Sequence, residues 1–402
     1  MKFKLKISPN MSEKTSLLGS LEDRMIRIPE ELRKESGFST GLFLSLNSRI
    51  GDPVLLRVAK AYKKDAEEDD SCVYVSESTH DLLDLHKSPG IKPFDDILIG
   101  CDPEFFLVDK TNDSLLSASH FFTHRGSVGS DCGLAELRPR PHYRPDSVTA
   151  NLMFLLKKAH TCINNRVLYR NKNVRLIAKS SYRKQPAGFH VHFGLPYTLL
   201  RTEANINALR AYIVALLDYY VGILSILPEG SEDSYRRSNK ISKYGKPGDF
   251  RDNNFRTLEY RVPGGHLLRH PVLTHGLLSL SVVVMKDVLS RLRVYTDDFR
   301  NVSISNYDEL RNLYPNLPHP ALVNQCITSA SIRPAKDITR KVLDDLYQMI
   351  GYKTNDVAIK RYLNYIVSYL KTGEKFSEDL ESNWRLANEG QQRSVAVLSA
   401  SV

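Results

Sequence analysis

Four short segments of this chain place two ionisable side chains two residues apart, and this pattern constrains the fold more than any other feature. On a β-strand, residues i and i+2 lie on the same face. Each segment therefore directs both ionisable groups to one side and its apolar neighbours to the other. If the strands share a sheet, one face packs on a core and the other collects acids, imidazoles and guanidinium groups. The segments are Asp102-Pro103-Glu104, Glu136-Leu137-Arg138, His190-Val191-His192 and Glu259-Tyr260-Arg261.

The chemistry of these pairs favours a site over an ordinary solvated face, although any single pair has that ordinary explanation. None of the eight residues is Lys, Ser or Thr, the usual residues of a wet strand face. Carboxylates and imidazoles bind divalent cations, and Arg binds phosphate or carboxylate. An acid-rich set favours Mg²⁺ or Mn²⁺, whereas a zinc hydrolase concentrates imidazoles. Neighbouring glycines let backbone or ligand approach closely; they are Gly100, Gly133, Gly188 and Gly194.

A basic segment, residues 233–261, leads into the last of these pairs. Gly245 and Gly248 suit a turn whose backbone N–H groups face an anion. The segment contains no GxxxxGK[ST] sequence, so it is not a Walker A loop. A solvated basic loop is the alternative, but the adjacent acids favour contact with a metal-bound triphosphate. The cations of the segment are Arg236, Arg237, Lys240, Lys243, Lys246, Arg251, Arg256 and Arg261.

Turn residues at Ser88-Pro89-Gly90 divide the chain. Residues 1–95 are predicted to form a small β-rich, barrel-like domain, with a short helix from Pro29 and a charged loop at 63–70. Residues 96–300 form the predicted catalytic core, and residues 301–402 a mainly helical region that completes it and ends in a loose tail. The core contains three predicted helices, which run over residues 146–164, 202–227 and 271–295.

Charge and cysteine content narrow the range of partners and compartments. The net charge of +10 attracts anions, but no tract interleaves Lys and Arg with aromatic residues, so nucleic-acid binding is not indicated. The five cysteines match neither a zinc nor a disulfide pattern, which predicts reduced thiols in the cytoplasm. The first ten residues lack the apolar run of a signal peptide. The apolar stretch 276–285 is too short to span a bilayer, so no membrane association is expected.

Five sequence motifs resemble, in order, the amidoligase (COOH–NH2 ligase) branch of the glutamine synthetase and glutamate–cysteine ligase superfamily, and among these the phage-encoded enzymes. The motifs are GCDPEFFL, GSDCGLAELRPRP, GFHVHFG, the RR…YGKPGDFR block and LEYRVPGG. They cover residues 97–270 and do not extend to residues 1–95. The resemblance implies an α+β fold of the glutamine synthetase-like type. Its curved antiparallel sheet would hold metal-bound ATP on the concave face and helices on the convex face.

The resemblance also implies an ATP-dependent reaction that joins a carboxylate to an amine through an acyl phosphate, with Mg²⁺ or Mn²⁺. The implied metal ligands are Asp102, Glu104, Glu136, His192 and Glu259. The implied catalytic residues are Glu104, Glu136, Arg138, Glu259 and Arg261. The implied nucleotide-binding residues are Arg236, Arg237, Lys243, Lys246, Arg251 and His190. Asp131 is a further candidate acid, but its odd spacing from Glu136 predicts that the two face opposite ways.

The resemblance implies a carboxylate and an amine as substrates, and the candidate acceptors are an amino acid, a peptide terminus and a protein side chain. The association with phages favours modification of a peptide or protein in the cytoplasm of an infected host. Two alternatives remain at this point. One is a metal-dependent hydrolase or nuclease that uses the same acids and histidines. The other is a binding protein whose sheet is a degraded enzyme, although the intact acids and arginines argue against degradation.

Overall fold

The computed structural model describes residues 4–11, 24–49, 53–83, 91–165, 174–196, 206–230, 233–238, 245–253, 257–295, 307–329 and 332–386. The strands are β1 (Lys4–Ile7), β2 (Met25–Ile28), β3 (Phe43–Leu46), β4 (Val54–Lys60), β5 (Cys72–Val75), β6 (Lys92–Pro93), β7 (Leu98–Asp109), β8 (Leu115–Leu116), β9 (Val128–Asp131), β10 (Leu134–Leu137), β11 (Val174–Ile177), β12 (Ser181–Tyr182), β13 (Gln185–Pro186), β14 (Phe189–Gly194), β15 (Phe250–Asn253) and β16 (Thr257–Tyr260).

The helices follow the same numbering in chain order. They are α1 (Glu30–Ser36), α2 (Lys63–Glu68), α3 (Glu77–Leu82), α4 (Pro145–Asn165), α5 (Ile206–Leu217), α6 (Ile223–Ile226), α7 (Tyr235–Ser238), α8 (Pro271–Tyr295), α9 (Tyr307–Leu313), α10 (Pro320–Ser329), α11 (Ile332–Leu346), α12 (Tyr352–Thr372) and α13 (Leu380–Asn383). A π-helical turn, Asp218–Gly222, joins α5 to α6. The helix predicted over residues 202–227 is thus helical over 206–226, with a π-helical segment inside it. Its first residues lie outside the described part of the chain.

The N-terminal strands form a six-stranded sheet in the order β1-β5-β2-β4-β3-β6. Helix α1 begins after Pro29, whose φ of −54° suits a helix start, and ends at Gly37 with φ of 70°. The predicted charged loop at 63–70 is wrong, because residues 63–68 form α2. The helix is anchored by Asp65, which is buried and accepts a 2.5 Å hydrogen bond from the Ser8 hydroxyl.

The strands of the second sheet carry six of the eight paired residues. Arg138 and Arg261 directly follow the ends of β10 and β16. The main path of this sheet runs β15-β16-β14-β7-β10-β9, and β8 and β11 pair with the second half of the long strand β7. The pairing along this path is antiparallel throughout. Phe105, Val191 and Leu258 are buried in the main core, on the face opposite the ionisable residues. The alternation predicted from sequence is thus confirmed, as is the α+β class.

Helices cover the apolar face of this sheet. Helix α4 buries Leu152 and Leu156 within the core, and α8 packs between α4 and α12. The close crossing of α8 and α12 requires Gly276, since a Cβ there would overlap the Tyr362 side chain. The apolar window of α8, residues 271–291, is longer than the stretch noted in the sequence and has the length and composition of a membrane span. However, 83% of that window is buried inside the protein, as expected for a core helix.

Candidate active site

The strand register brings the ionisable pairs side by side on one face, which we call the acid face: Asp102, Glu104, Glu136, His190, His192 and Glu259. His190 lies directly opposite Asp102 on the neighbouring strand. Glu136 lies opposite Glu104, and His192 lies opposite Glu259. Directly opposed residues have Cβ atoms only about 5 Å apart. Three strand pairings therefore concentrate these six groups in one area of the sheet.

Three of these groups form a cluster with the spacing of a metal site. One ligand atom each of Asp102, His190 and Glu259 lie within 4.8 Å of one another. His190 Nδ1 is 3.1 Å from Asp102 Oδ1 and 3.8 Å from Glu259 Oε1, and His192 Nε2 is 2.9 Å from Asp102 Oδ2. His190 packs so closely over Gly188 that a Cβ there would overlap the imidazole. His190, which the resemblance assigned to nucleotide binding, thus lies beside two of the candidate metal ligands, Asp102 and Glu259.

Burial and neighbouring charges perturb the acids of this face in opposite directions. Burial disfavours the charge of Asp102, but His192 and His190 hold its pKa well below the usual value. Burial lowers the pKa of His192, and Asp102 more than offsets this, so that the pKa is raised. Burial and the charge of Asp102 raise the pKa of Glu136 to about 9. Burial likewise raises the pKa of Glu104, which accepts a 2.6 Å hydrogen bond from the Gly188 N–H. Burial, to which the charge of Asp102 adds, therefore disfavours ionisation of both Glu104 and Glu136.

Three of the predicted arginines lie at the rim of the acid face. Arg251 Nε and Nη2 are both 2.7 Å from Glu259 Oε2, while about half of the Arg251 side chain is exposed. Arg261 Nε is 3.2 Å from Glu259 Oε1. Arg138 contacts Glu136 and donates to the carbonyl oxygens of residues 124 and 126. Each guanidinium group is thus held next to an acid and borders the open face.

Two further acids belong to this region. Asp131 lies opposite Leu134 in the β9–β10 hairpin, on the same face as Glu136. The prediction of opposite faces was wrong, because the turn at Cys132-Gly133 reverses the chain and resets the parity. Asp249 was missed altogether. Its carboxylate accepts from the Gly245 N–H at 2.9 Å and lies 4.0 Å from Arg261 Nη1. The spacing of Asp249 and Arg251 repeats the i, i+2 pattern and would have identified it.

The structure does not bring every predicted cation to this face. Arg236 and Arg237 are buried in a sealed ionic cluster, which consists of Glu229, Asp233, Arg236, Arg237, His266 and Arg269. Arg236 donates to the carbonyl oxygens of Arg261 and Val262 at 2.6 and 2.7 Å. Arg237 contacts Glu229. These guanidinium groups support the end of β16 from behind, so the phosphate role predicted for them is not supported.

Of the remaining basic residues in segment 233–261, the structure describes only Lys246. Lys246 is exposed on the loop that precedes β15. Lys243 lies outside the described residues, as do Lys240 and Arg256.

The acid face fits a divalent cation. Asp102 Oδ1 is buried and makes no hydrogen bond within the described residues, although His190 Nδ1 lies close by. Carboxylate oxygens with one imidazole suit Mg²⁺ or Mn²⁺. A cation would also favour the ionised form of Glu136, whose pKa is raised mainly by burial.

An antiparallel sheet carries the clustered acids, with arginines at its rim, and this arrangement of charges is suited to cations and anionic ligands. Residues 99–386 match the phage phiEco32-like COOH.NH2 ligase-type 2 family, and the chain belongs to that family. This confirms the family resemblance that the motifs indicated. No curated protein matches the chain in sequence.

Solved structures show distant likenesses. The structure of the ligase PafA in complex with the prokaryotic ubiquitin-like protein Pup has 11% sequence identity and a TM-score of 0.44, covering 69% of this chain and 64% of that chain. A bifunctional glutathione synthetase from Pasteurella multocida has 13% identity and a TM-score of 0.36, covering 73% and 51%. Apo GmaS has 12% identity and a TM-score of 0.32, covering 80% and 98%. The chain thus spans less than two thirds of the length of the first two structures. The TM-scores are too low for these likenesses to add to the family assignment.

Proposed function

We propose that the protein is an ATP-dependent ligase that forms an amide between a carboxylate and an amine, with the acid face as its reaction centre. Membership of the COOH.NH2 ligase-type family supports formation of an amide bond. The observation that supports the site is the convergence of Asp102, His190 and Glu259 ligand atoms within 4.8 Å, on a face bordered by Arg251 and Arg261. Phosphoryl transfer depends mainly on such positioning and charge stabilisation.

The residues divide into three roles in this proposal. Asp102, His190 and Glu259 would hold one divalent cation, with His192 orienting Asp102, and Glu104 and Glu136 would hold a second. When bound, such cations neutralise phosphate oxygens and act as Lewis acids. Arg251 and Arg261 would neutralise the transferred phosphoryl group, while Arg138 fixes Glu136. Lys246 remains a candidate for the nucleotide.

The reaction proceeds in two steps in this account. An acceptor carboxylate attacks the γ-phosphate of ATP, the bond to the bridging oxygen breaks, and ADP leaves. The amine then attacks the carbonyl of the acyl phosphate, inorganic phosphate leaves, and the amine proton passes to a carboxylate of the site. Water must be excluded in between, because it would hydrolyse the acyl phosphate.

The substrate is a peptide or protein in this proposal, and the compartment is the cytoplasm of a phage-infected cell. Three observations support it. The family is phage-associated. The five cysteines are unpaired. The rim arginine Arg251 is half exposed at the sheet edge, where a large acceptor can reach it.

The test is to incubate the protein with ATP, Mg²⁺ and pools of carboxylates and amines, including peptides, and to follow phosphate release together with product mass. We expect phosphate release that requires both substrates and a product lighter by one water than their sum. Glu104→Gln should abolish both signals. Glu35→Gln, an exposed acid of α1, is the matched control and should leave them unchanged.

Hydrolysis of a substrate by the protein with Mg²⁺ but without ATP would establish the hydrolase alternative instead. Full activity in the Glu104→Gln variant would remove the acid face from the reaction even if the protein is a ligase.

A further inference from the structure

A pocket of about 240 Å³ lies at the open edge of the second sheet, on the side away from the acid face. Phe250 lines it, whereas the next residue, Arg251, points to the acid face, since successive strand residues face opposite ways. The other walls come from α5, the π-helical turn and the first residues of α9 and α10. The pocket is therefore separate from the reaction centre and has no part in the proposed mechanism.

The lining of this pocket is mainly apolar, and Asp218, Tyr307 and Asn324 add polar groups. Val214, Ala215, Phe250 and Val323 supply hydrocarbon walls, and Asp218 supplies a carboxyl group. A cavity of about 150 Å³ already holds a benzene ring, so this pocket can accept a ring with a short arm. Binding pockets typically combine apolar walls with a few fixed polar groups that set the orientation of the ligand.

The Asp218 carboxyl is fixed and retains capacity to accept further hydrogen bonds. It accepts from the Tyr260 hydroxyl at 2.8 Å and from the Gly248 N–H at 2.6 Å. An ionised carboxylate accepts about four hydrogen bonds. Burial raises the pKa of Asp218 to about 7, and Asp249 adds to this while Arg237 opposes it. Its charge is therefore incompletely compensated by the protein, and a cationic ligand would supply what is missing.

We propose that this pocket is a second binding site, for a compact apolar molecule that carries one ammonium group. The hydrocarbon part fills the space between α5 and α10, and the ammonium group donates to Asp218. A neutral ligand of the same shape would lack the charge-assisted hydrogen bond to Asp218. An anionic ligand would be repelled by the carboxylate.

The loop over residues 245–249 connects this pocket to the rim of the acid face. Its Gly248 N–H binds Asp218 at the pocket, while Asp249 lies beside Arg261 at the acid face. A ligand on Asp218 therefore contacts the same short loop that borders the reaction centre.

The test measures binding of benzylammonium to the full-length protein by calorimetry, without ATP, with benzyl alcohol and benzoate as comparators. We expect saturable one-to-one binding of benzylammonium. Benzyl alcohol should bind at least about tenfold more weakly, because a hydrogen bond to a charged group contributes about 1.5–3 kcal/mol. Benzoate should not bind.

Two variants locate the site. Ala215→Phe fills the pocket from α5 and should abolish benzylammonium binding. Ala211→Trp covers the mouth from an exposed position and tests the same point if the first variant does not fold. Glu259→Gln is the matched control, since a cation bound at the acid face would lose affinity and one bound in the pocket would not.

Absence of saturable benzylammonium binding would overturn the proposal, as would equal binding of benzyl alcohol. Binding that persists in the folded Ala211→Trp variant but disappears in Glu259→Gln would place the cation at the acid face and also overturn it. Because the assay contains no ATP, these outcomes are independent of whether the protein is a ligase.

Discussion

The acid face and the sealed ionic cluster use the same residue types, yet they differ in charge balance and exposure. The sealed cluster sets three arginines against two carboxylates and a histidine, and all six residues are at most 4% exposed. Its guanidinium groups bind Glu229 and backbone carbonyl oxygens. The acid face has four carboxylates and two histidines, with arginines only at its rim. A fully buried set whose cations are bound by protein acceptors serves architecture, whereas an acid-rich and partly open set is characteristic of a functional site.

The largest effect is expected when the sealed cluster loses a cation. Arg237→Ala leaves the Glu229 carboxylate buried without its main partner, and we expect a loss of about 3–5 kcal/mol in the free energy of unfolding. Denaturant titration measures this. The matched control is Arg251→Ala at the exposed rim, where about 1 kcal/mol or less is expected. Equal losses in both variants would mean that the two regions do not differ as described.

The acid face should show the opposite behaviour when one acid is replaced. Burial disfavours the ionised Glu136 carboxylate, so the neutral amide of Glu136→Gln should leave the unfolding free energy at pH 7 unchanged or higher. Phosphate release coupled to amide formation should fall about 100-fold or more, because the variant loses a carboxylate that would hold a cation at the reacting phosphate. Activity and stability are measured on the same preparation. A Glu136→Gln variant that is destabilised but active would mean that Glu136 serves the fold and not the reaction.

Asp218 is a buried carboxyl that belongs to neither region. Its titration should make the free energy of unfolding depend on pH. Its folded pKa of about 7 lies above the unfolded value, so the folded state binds the proton more tightly. The stabilisation is therefore complete below about pH 4 and is lost as pH rises towards 7, amounting to roughly 2–4 kcal/mol. Unfolding free energies of wild type and Asp218→Asn from pH 5 to 9 measure this. A parallel pH dependence in both proteins would refute the assignment.

The smallest effect concerns the link between the N-terminal sheet and the acid face. Arg24 donates to Ser127 Oγ at 2.9 Å, to the Pro139 carbonyl at 3.0 Å and to the Arg138 carbonyl. It therefore fixes the backbone next to Glu136. Arg24→Ala should cost about 1–2 kcal/mol of stability and lower the turnover number more than the affinity for ATP. An unchanged turnover number would mean that this contact with the N-terminal sheet has no role in catalysis.

The sequence predicted the content of the acid face because strand alternation depends only on spacing. All four pairs contribute residues to that face, and the apolar residues between them line the core. Spacing alone failed where the chain turns, as at Asp131, whose hairpin resets the parity. It also failed for Arg236 and Arg237, which carry the same charge as Arg251. Their burial depends on Glu229 and on carbonyl oxygens that only the tertiary fold brings near.

Calorimetric titration with a non-hydrolysable ATP analogue tests the central claim most directly, because it asks whether the acid face holds a metal-bound triphosphate. The account predicts one-to-one binding that requires Mg²⁺ or Mn²⁺ and that weakens about tenfold or more in Asp102→Asn. The exposed control Asp113→Asn should bind as wild type does. Binding that needs no divalent cation, or that is unchanged in Asp102→Asn, would contradict it.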